Sequence, residues 1–206
     1  MIAALYVLEN GPYSGLDGVD SWPESRDARQ YDGPHAVVAH PPCERWGRYW
    51  SGGPSAKVRR ELGDDGGCFR MALHAVRHWG GVLEHPKDSH AWAYHGIERP
   101  PINGGWVDGG APGGFTCCVA QGNYGHRAEK LTWLYVAGCE LPELKWGRTP
   151  GRSLLDKEYA KGRDPAYVKR VGIIQRMSKR QRAESPAEFR DLLLGIANSP
   201  LAPPAA

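Results

Sequence analysis

Cys43 stands in His40-Pro41-Pro42-Cys43, directly after the apolar run Ala36 to Ala39. A thiol at the carboxyl end of a strand, in a loop fixed by two prolines, is placed as a nucleophile is placed, since the thiolate is the attacking species. Glu84 opens Glu84-His85-Pro86 at the end of a second apolar run. A carboxyl group at such a strand end, beside a cleft, can donate a proton or accept hydrogen bonds from the edge of a base. The third stretch, Gln121 to Lys130 (QGNYGHRAEK), is polar and basic and leads into TWLYVA. Taken singly, each has an ordinary reading as an incidental loop cysteine, a solvated acid or a surface turn. Their order is more informative: Glu84 follows Cys43 by 41 residues, and Lys130 follows Glu84 by 46.

The elements that must position these residues can be read from the apolar pattern. Ile2 to Leu8 (IAALYVL) predicts a buried strand and runs into the glycine-rich loop Asn10 to Gly18 (NGPYSGLDG). Ala36 to Ala39 predicts a second strand between Gly33-Pro34 and Pro41-Pro42. Asp64 and Asp65 are candidate helix caps. Phe69, Leu73 and Val76 follow at helical spacing, and Gly80-Gly81 stop the helix before the strand Val82 to Glu84. Strand, helix and strand with short links predict a parallel unit, whose ligand chemistry gathers at the carboxyl ends of the strands. Arg99 to Gly114 reads as a long loop and Thr132 to Ala137 as a strand. Ser185-Pro186-Ala187-Glu188 matches a capped helix start, with Phe189, Leu192, Leu193 and Ile196 as its apolar face. Residues 200–206 are expected to be a flexible tail.

A chain of 206 residues with 41% hydrophobic and 24% charged residues is expected to form one domain over 1–206 and is neither disordered nor fibrous in composition. No apolar run approaches the roughly 20 residues that span a bilayer, and the first eight are too short for a signal peptide. Five cysteines without framework spacing fit a reducing compartment, so the expectation is cytoplasmic, with no membrane partner. The formal charge of +3 hides an asymmetry. Residues 145–182 hold twelve Lys or Arg against three acids, which is +9 on a remainder of −6. Such a block suits a polyanion, and DNA is the expected partner.

Pro41-Pro42-Cys43, Glu84 and the Tyr124-Gly125 segment before a strand resemble the cytosine-C5 DNA methyltransferase family. There a strand ends in Pro-Pro-Cys, the next in Glu-Asn-Val, and a later Tyr-Gly segment carries Gln-x-Arg-x-Arg. His85-Pro86 departs from the second motif. In the third, His126 stands where the family has Gln, Ala128 where it has the middle Arg and Lys130 where it has the last, with Arg127 one register away. The resemblance implies a reduced Rossmann-like methyltransferase fold of α/β class, with a mainly parallel sheet and flanking helices. It implies Cys43 as the nucleophile at cytosine C6, Glu84 as the partner of N3, and Arg127 or Lys130 as the base or phosphate contact. Pro41, Pro42, Tyr124 and His126 become substrate-binding positions on a flipped base. S-adenosylmethionine is the implied cofactor, with Asn10, Gly11, Gly15 and Asp20 as the positions open to it. Gly18 and Cys43 are only 25 residues apart, so the donor half is short, and 145–182 stands as a basic insertion or reduced target-recognition segment. This truncated pattern is similar to small methyltransferase-like proteins of bacteriophages and their hosts.

Other chemistries fare worse. There is no C-x-x-C pair, Cys117 and Cys118 are adjacent, and His74 and His78 have no companion acid, so no metal is expected. A GxGxxG fingerprint is also missing. Two classes remain: an enzyme that forms a cysteine adduct with cytosine, using S-adenosylmethionine or another donor, and a non-catalytic DNA-binding relic of the same fold.

Overall fold

The computed structural model describes residues 1–52, 56–110, 113–149, 162, 164–166 and 184–201. Ile2–Val7 (β1) is apolar on both faces, as a strand covered on both sides must be. It pairs in parallel with Val19–Pro23 (β2) on one side and with Ala36–Ala39 (β3) on the other. The chain thus leaves β1 for one edge and crosses back over it. This puts a topological switch point at the carboxyl ends of β1 and β3.

Asp65 organises the start of the first helix, Cys68–Trp79 (α1). Its Oδ1 accepts the Gly67 N–H at 2.8 Å, and its Oδ2 accepts the Phe69 N–H at 2.9 Å and the Trp46 indole N–H at 2.8 Å. Phe69, Leu73 and Val76 are buried at the spacing read from the sequence. The helix ends at Gly80, and Gly81–Pro86 (β4) follows at once, parallel to β3. Gly81 has φ +127, and a Cβ there would lie 1.9 Å from the Val37 carbonyl oxygen, so the close pairing of β3 and β4 depends on glycine.

His90–Tyr94 forms a short helix (α2), capped by Ser89 Oγ on the Ala91 N–H. Two strands beyond the sequence reading complete the far side: Val107–Asp108 (β5), within the expected loop, and Gly114–Ala120 (β6). Leu131–Ala137 (β7) returns between β4 and β6, giving the order β2-β1-β3-β4-β7-β6-β5. The expected α/β class holds, but the sheet is mixed rather than mainly parallel. The pairs of β1, β2, β3 and β4 are parallel, whereas β4–β7, β7–β6 and β6–β5 are antiparallel and include the longest ladders. Among the described residues the links between β5, β6 and β7 carry no crossover helix, and short links between adjacent strands enforce antiparallel return. Flanking helices are correspondingly few.

The sheet separates two cores. Leu5, Val37, Leu83 and Tyr135 pack with α1, Trp46 and Trp92 on one face. Ala4, Val38, Val82, Leu134 and Val136 pack on the other against Ala187–Ala197 (α3), through Phe189, Leu193 and Ile196. The helix begins at Pro186 without a side-chain cap, so Ser185 does not play the expected role. Pro200 is also tied down, bridging Cys139, and the Leu201 N–H donates to the Gly138 carbonyl; 202–206 lie outside the described residues. Among the described residues no helix is long and apolar enough to cross a membrane, and no group of three or more His, Cys, Asp or Glu residues could hold a metal ion.

Candidate functional site

The ladder between β3 and β4 ends at Ala39↔Leu83, and Glu84 is the next residue of β4. On its other side Glu84 is still paired, opposite Leu134 of β7. The carboxylate therefore sits on a rigid strand at the point where the parallel neighbour turns away. Strand alternation puts it on the face of Val82 and Val38, under α3.

His40, the first residue past β3, fills the gap. Its Nδ1 lies 3.1 Å from Glu84 Oε2, and its Nε2 lies 2.9 Å from the hydroxyl of Tyr13, from the loop after β1. The side chains of His40 and Glu84 are 15% and 12% exposed, and Tyr13 is buried. The other carboxylate oxygen, Oε1, accepts an N–H from Gln121 Nε2 at 3.1 Å, and the same amide nitrogen donates to Thr132 Oγ1 at 2.9 Å. Thr132 in turn donates to the Lys130 carbonyl. Both oxygens of Glu84 are thus engaged, and Gln121 Oε1 is buried without a hydrogen-bond partner.

Burial pushes the Glu84 carboxyl up, but the His40 hydrogen bond and the electrostatic effects of His40 and Lys130 outweigh it, and its pKa falls below the ordinary carboxylate value. Glu84 is held as an anion. Cys43 as a residue is exposed, yet desolvation around the thiol, reinforced by the Glu84 charge, raises its pKa, against a smaller lowering by Lys130. Desolvation also lowers Lys130, while Glu84 and Cys43 act the other way. Lys130 adopts φ +41 and its Nζ donates to the Glu184 carbonyl at 3.0 Å. Thiol, carboxylate and ammonium therefore act on one another at one end of the sheet.

His85 points to the opposite face. It is buried among Phe69 and Trp92, with Nδ1 2.7 Å from Ser89 Oγ, and contacts with the backbone of Pro42 and Pro41 link it to the loop that carries Cys43. Burial lowers its pKa to about 4, so it supports that loop as a neutral ring.

The other predicted positions divide. Pro41 is buried and Pro42 exposed beside Cys43. Of Arg127 and Lys130, only Lys130 acts on Glu84 and Cys43. Arg127 is exposed and lines a shallow cleft of about 300 Å³ with His126, Glu184 and Pro186. His126 is buried, its Nδ1 accepting the Ala128 N–H, and Tyr124 is buried against Phe189 with its hydroxyl accepting the Lys145 N–H; both secure the turn before β7. In the loop after β1, a Cβ at Gly11 would meet Leu8 Cβ at 2.9 Å, whereas Gly15, at φ +71, faces open space. Asn10 is exposed there, and Arg190 of α3 donates to the Pro12 carbonyl at 2.9 Å. Asp20 is spoken for: Oδ1 takes Arg26 at 2.5 Å and Oδ2 the Trp22 indole N–H at 2.8 Å. An S-adenosylmethionine ribose held by the Asp20 carboxylate does not fit that arrangement.

Most of the basic block lies outside the described residues. Its described cations are engaged, Lys145 with Asn123 and the Tyr124 ring and Arg148 with Glu129. A second basic stretch went unread in the sequence. The chain leaving Cys43 exposes Arg48, Lys57, Arg59 and Arg60 together with Tyr49, a mixture of cations and an aromatic ring that was a legible signal. Tyr13, His40, Gln121 and Thr132 were also not singled out as site residues, because only three-dimensional pairing joins them to Glu84. Comparison with protein-family models, with curated proteins and with solved structures finds no match, so the chemistry of this site rests on its own geometry.

Proposed function

We propose that the protein modifies cytosine in DNA at C5, with Cys43 adding to C6 and Glu84 holding the N3 edge of the base. The observation that carries this reading is the meeting of Cys43, Glu84 and Lys130 at the carboxyl ends of β3 and β4, each perturbing the ionisation of another. Addition of a thiolate to C6 moves the ring electrons toward C5 and makes that carbon nucleophilic, provided the ring nitrogen receives a hydrogen bond or a proton. In this reading Glu84 makes that contact, with its oxygens held by His40 and Gln121. Gln121, fixed by Glu84 and Thr132, holds the second carboxylate oxygen in place. Lys130 supplies positive charge for the base carbonyl or a phosphate.

The parallel strands β2, β1, β3 and β4, with a switch point beside this cluster, favour a reduced Rossmann-like methyltransferase fold. The exposed cations around Tyr49 favour a polyanionic partner. S-adenosylmethionine as the donor requires the Asn10, Gly11 and Gly15 loop to hold it without Asp20.

DNA labelled with tritium at cytosine C5 tests the proposal without any donor. Reversible addition of Cys43 releases tritium to water, because the C5 carbanion equivalent takes a solvent proton before the thiolate is expelled. Release by the intact protein and its loss in Cys43→Ala support the reading. No release, or release that survives Cys43→Ala, refutes it.

A further inference from the structure

We propose that His40 is a positioning residue that loads the proton which Glu84 delivers to the ring nitrogen, with Tyr13 fixing the imidazole between them. The inference rests on the cytosine reading and adds a proton route to it. Its basis is geometric. His40 Nδ1 is 3.1 Å from Glu84 Oε2, its Nε2 is 2.9 Å from the Tyr13 hydroxyl, and the three groups form one chain from the β1 loop to β4.

Glu84 has a difficulty that this chain resolves. A carboxylate holding donors on both oxygens is well made as an acceptor, but N3 of cytosine is itself an acceptor and needs a proton. His40 is the one titratable group hydrogen-bonded to Glu84 among the described residues. As an imidazolium it passes the Nδ1 proton to Oε2 and becomes the neutral Nε2–H tautomer, which donates to the Tyr13 oxygen. The Glu84 acid then gives the proton to N3 as the Cys43 sulfur contributes an electron pair to C6. In the exchange reaction C5 then takes a proton from water; loss of its original hydrogen to water re-forms the C5–C6 double bond as the C–S electron pair returns to sulfur, and the N3 proton goes back through Glu84 to His40. The thiol proton that Cys43 gives to water before attack is regained after expulsion, so charge and protons balance over the cycle.

The groups that face this pair come from every side. Lys130 approaches from the turn before β7 and Cys43 from the loop after β3, where Glu44 acts in turn on Cys43; His85, on the opposite face of β4, acts on Glu84 only through the strand. Arg190 and Asp191 of α3 act on Tyr13, whose burial keeps it a phenol. Tyr13 is therefore an orienting hydroxyl and no proton source.

Tritium release from cytosine C5, measured against pH, tests the relay. The intact protein is expected to give a profile that rises and then falls with pH, because release needs a Cys43 thiolate and a proton on the relay at the same time. His40→Gln, which can donate a hydrogen bond but carries no exchangeable charge, is expected to slow release at least about tenfold and to lose the alkaline limb. Tyr13→Phe should keep the alkaline fall and displace the profile along the pH axis. An unaltered alkaline limb in His40→Gln overturns the relay while leaving the cytosine reading intact, because Cys43→Ala still abolishes release. Absence of release in the intact protein overturns both. Should His40→Gln fail to fold, Tyr13→Phe decides: a profile identical to that of the intact protein overturns the relay.

Discussion

Cys43 and Glu84 stand at the same end of two parallel strands, and the carboxylate raises the pKa of the thiol it stands beside. This is the reverse of the usual arrangement for a resting nucleophile, where a neighbouring cation keeps the sulfur ionised. Lys130 supplies the cation but is outweighed by desolvation and by Glu84. In the proposed relay the proton that His40 passes to Glu84 removes the carboxylate's share of this effect before it goes on to N3, while desolvation of the thiol remains.

The relationship predicts alkylation rates directly. Glu84→Gln removes a charge that raises the Cys43 pKa and should speed iodoacetamide modification at neutral pH by roughly two- to fivefold, while Lys130→Met should slow it. Mass spectrometry of the Cys43 peptide reads both. Equal rates in the two variants would show that the three groups do not interact.

His85 predicts an acid-sensitive fold. Its ring has a pKa of about 4 in the folded protein and near the ordinary value of about 6.5 once unfolded. Between those values the unfolded chain binds a proton that the folded one refuses, so stability is complete above pH 6.5 and declines as the pH falls toward 4, by about 3 kcal/mol in all. Glu84, lowered in the folded state, adds a separate loss only below the ordinary carboxylate value. Urea midpoints across pH 4–8 measure the slope, and His85→Gln should flatten the upper part of it.

Gly81 and Gly15 share a positive φ but not a neighbourhood. An Ala at Gly15 meets nothing within 4 Å and should cost about 1–2 kcal/mol for the left-handed backbone alone. At Gly81 the same change drives Cβ into the Val37 carbonyl and should cost more than about 3 kcal/mol, parting β3 from β4. Denaturant midpoints of the two variants separate strain from collision.

How far this was legible in the sequence depends on the range of the interaction. β1, β3, α1, β4 and β7 were readable because apolar runs and glycine stops are local signals. β2 was missed: Val19–Pro23 is a half-buried edge strand with a single apolar pair and a terminal proline. β6 was hidden because GFTCCVA follows a glycine-rich stretch that reads as loop, and the antiparallel sense of β7 is a tertiary property. Cys43 and Glu84, with Arg127 or Lys130, were grouped by the family resemblance; in the fold Cys43, Glu84 and Lys130 act on one another electrostatically. Asp20 was named as a ribose ligand because an acid near a glycine loop is a local pattern, while the Arg26 and Trp22 contacts that occupy it arise only once β2 docks and the chain turns after it.

The last prediction concerns where DNA is held. Lys145 and Arg148, the first cations of the block the sequence emphasises, are engaged by Asn123, Tyr124 and Glu129. Arg48, Lys57, Arg59 and Arg60 are exposed on the stretch that leaves Cys43, with the Arg48 guanidinium over the Tyr49 ring, which is 60% exposed. Phosphate neutralisation makes log K fall linearly with log salt, and each lost contact reduces that slope by about one. Arg48→Gln together with Arg59→Gln should therefore weaken binding and lower the slope by about two, and Lys145→Gln should leave it nearly unchanged. Tyr49→Ala should weaken binding to single-stranded DNA at every salt concentration without changing the slope, since stacking releases no counterions. Fluorescence anisotropy at several salt concentrations separates the two effects. An unchanged slope in the double arginine variant would place the phosphate contacts elsewhere on the chain.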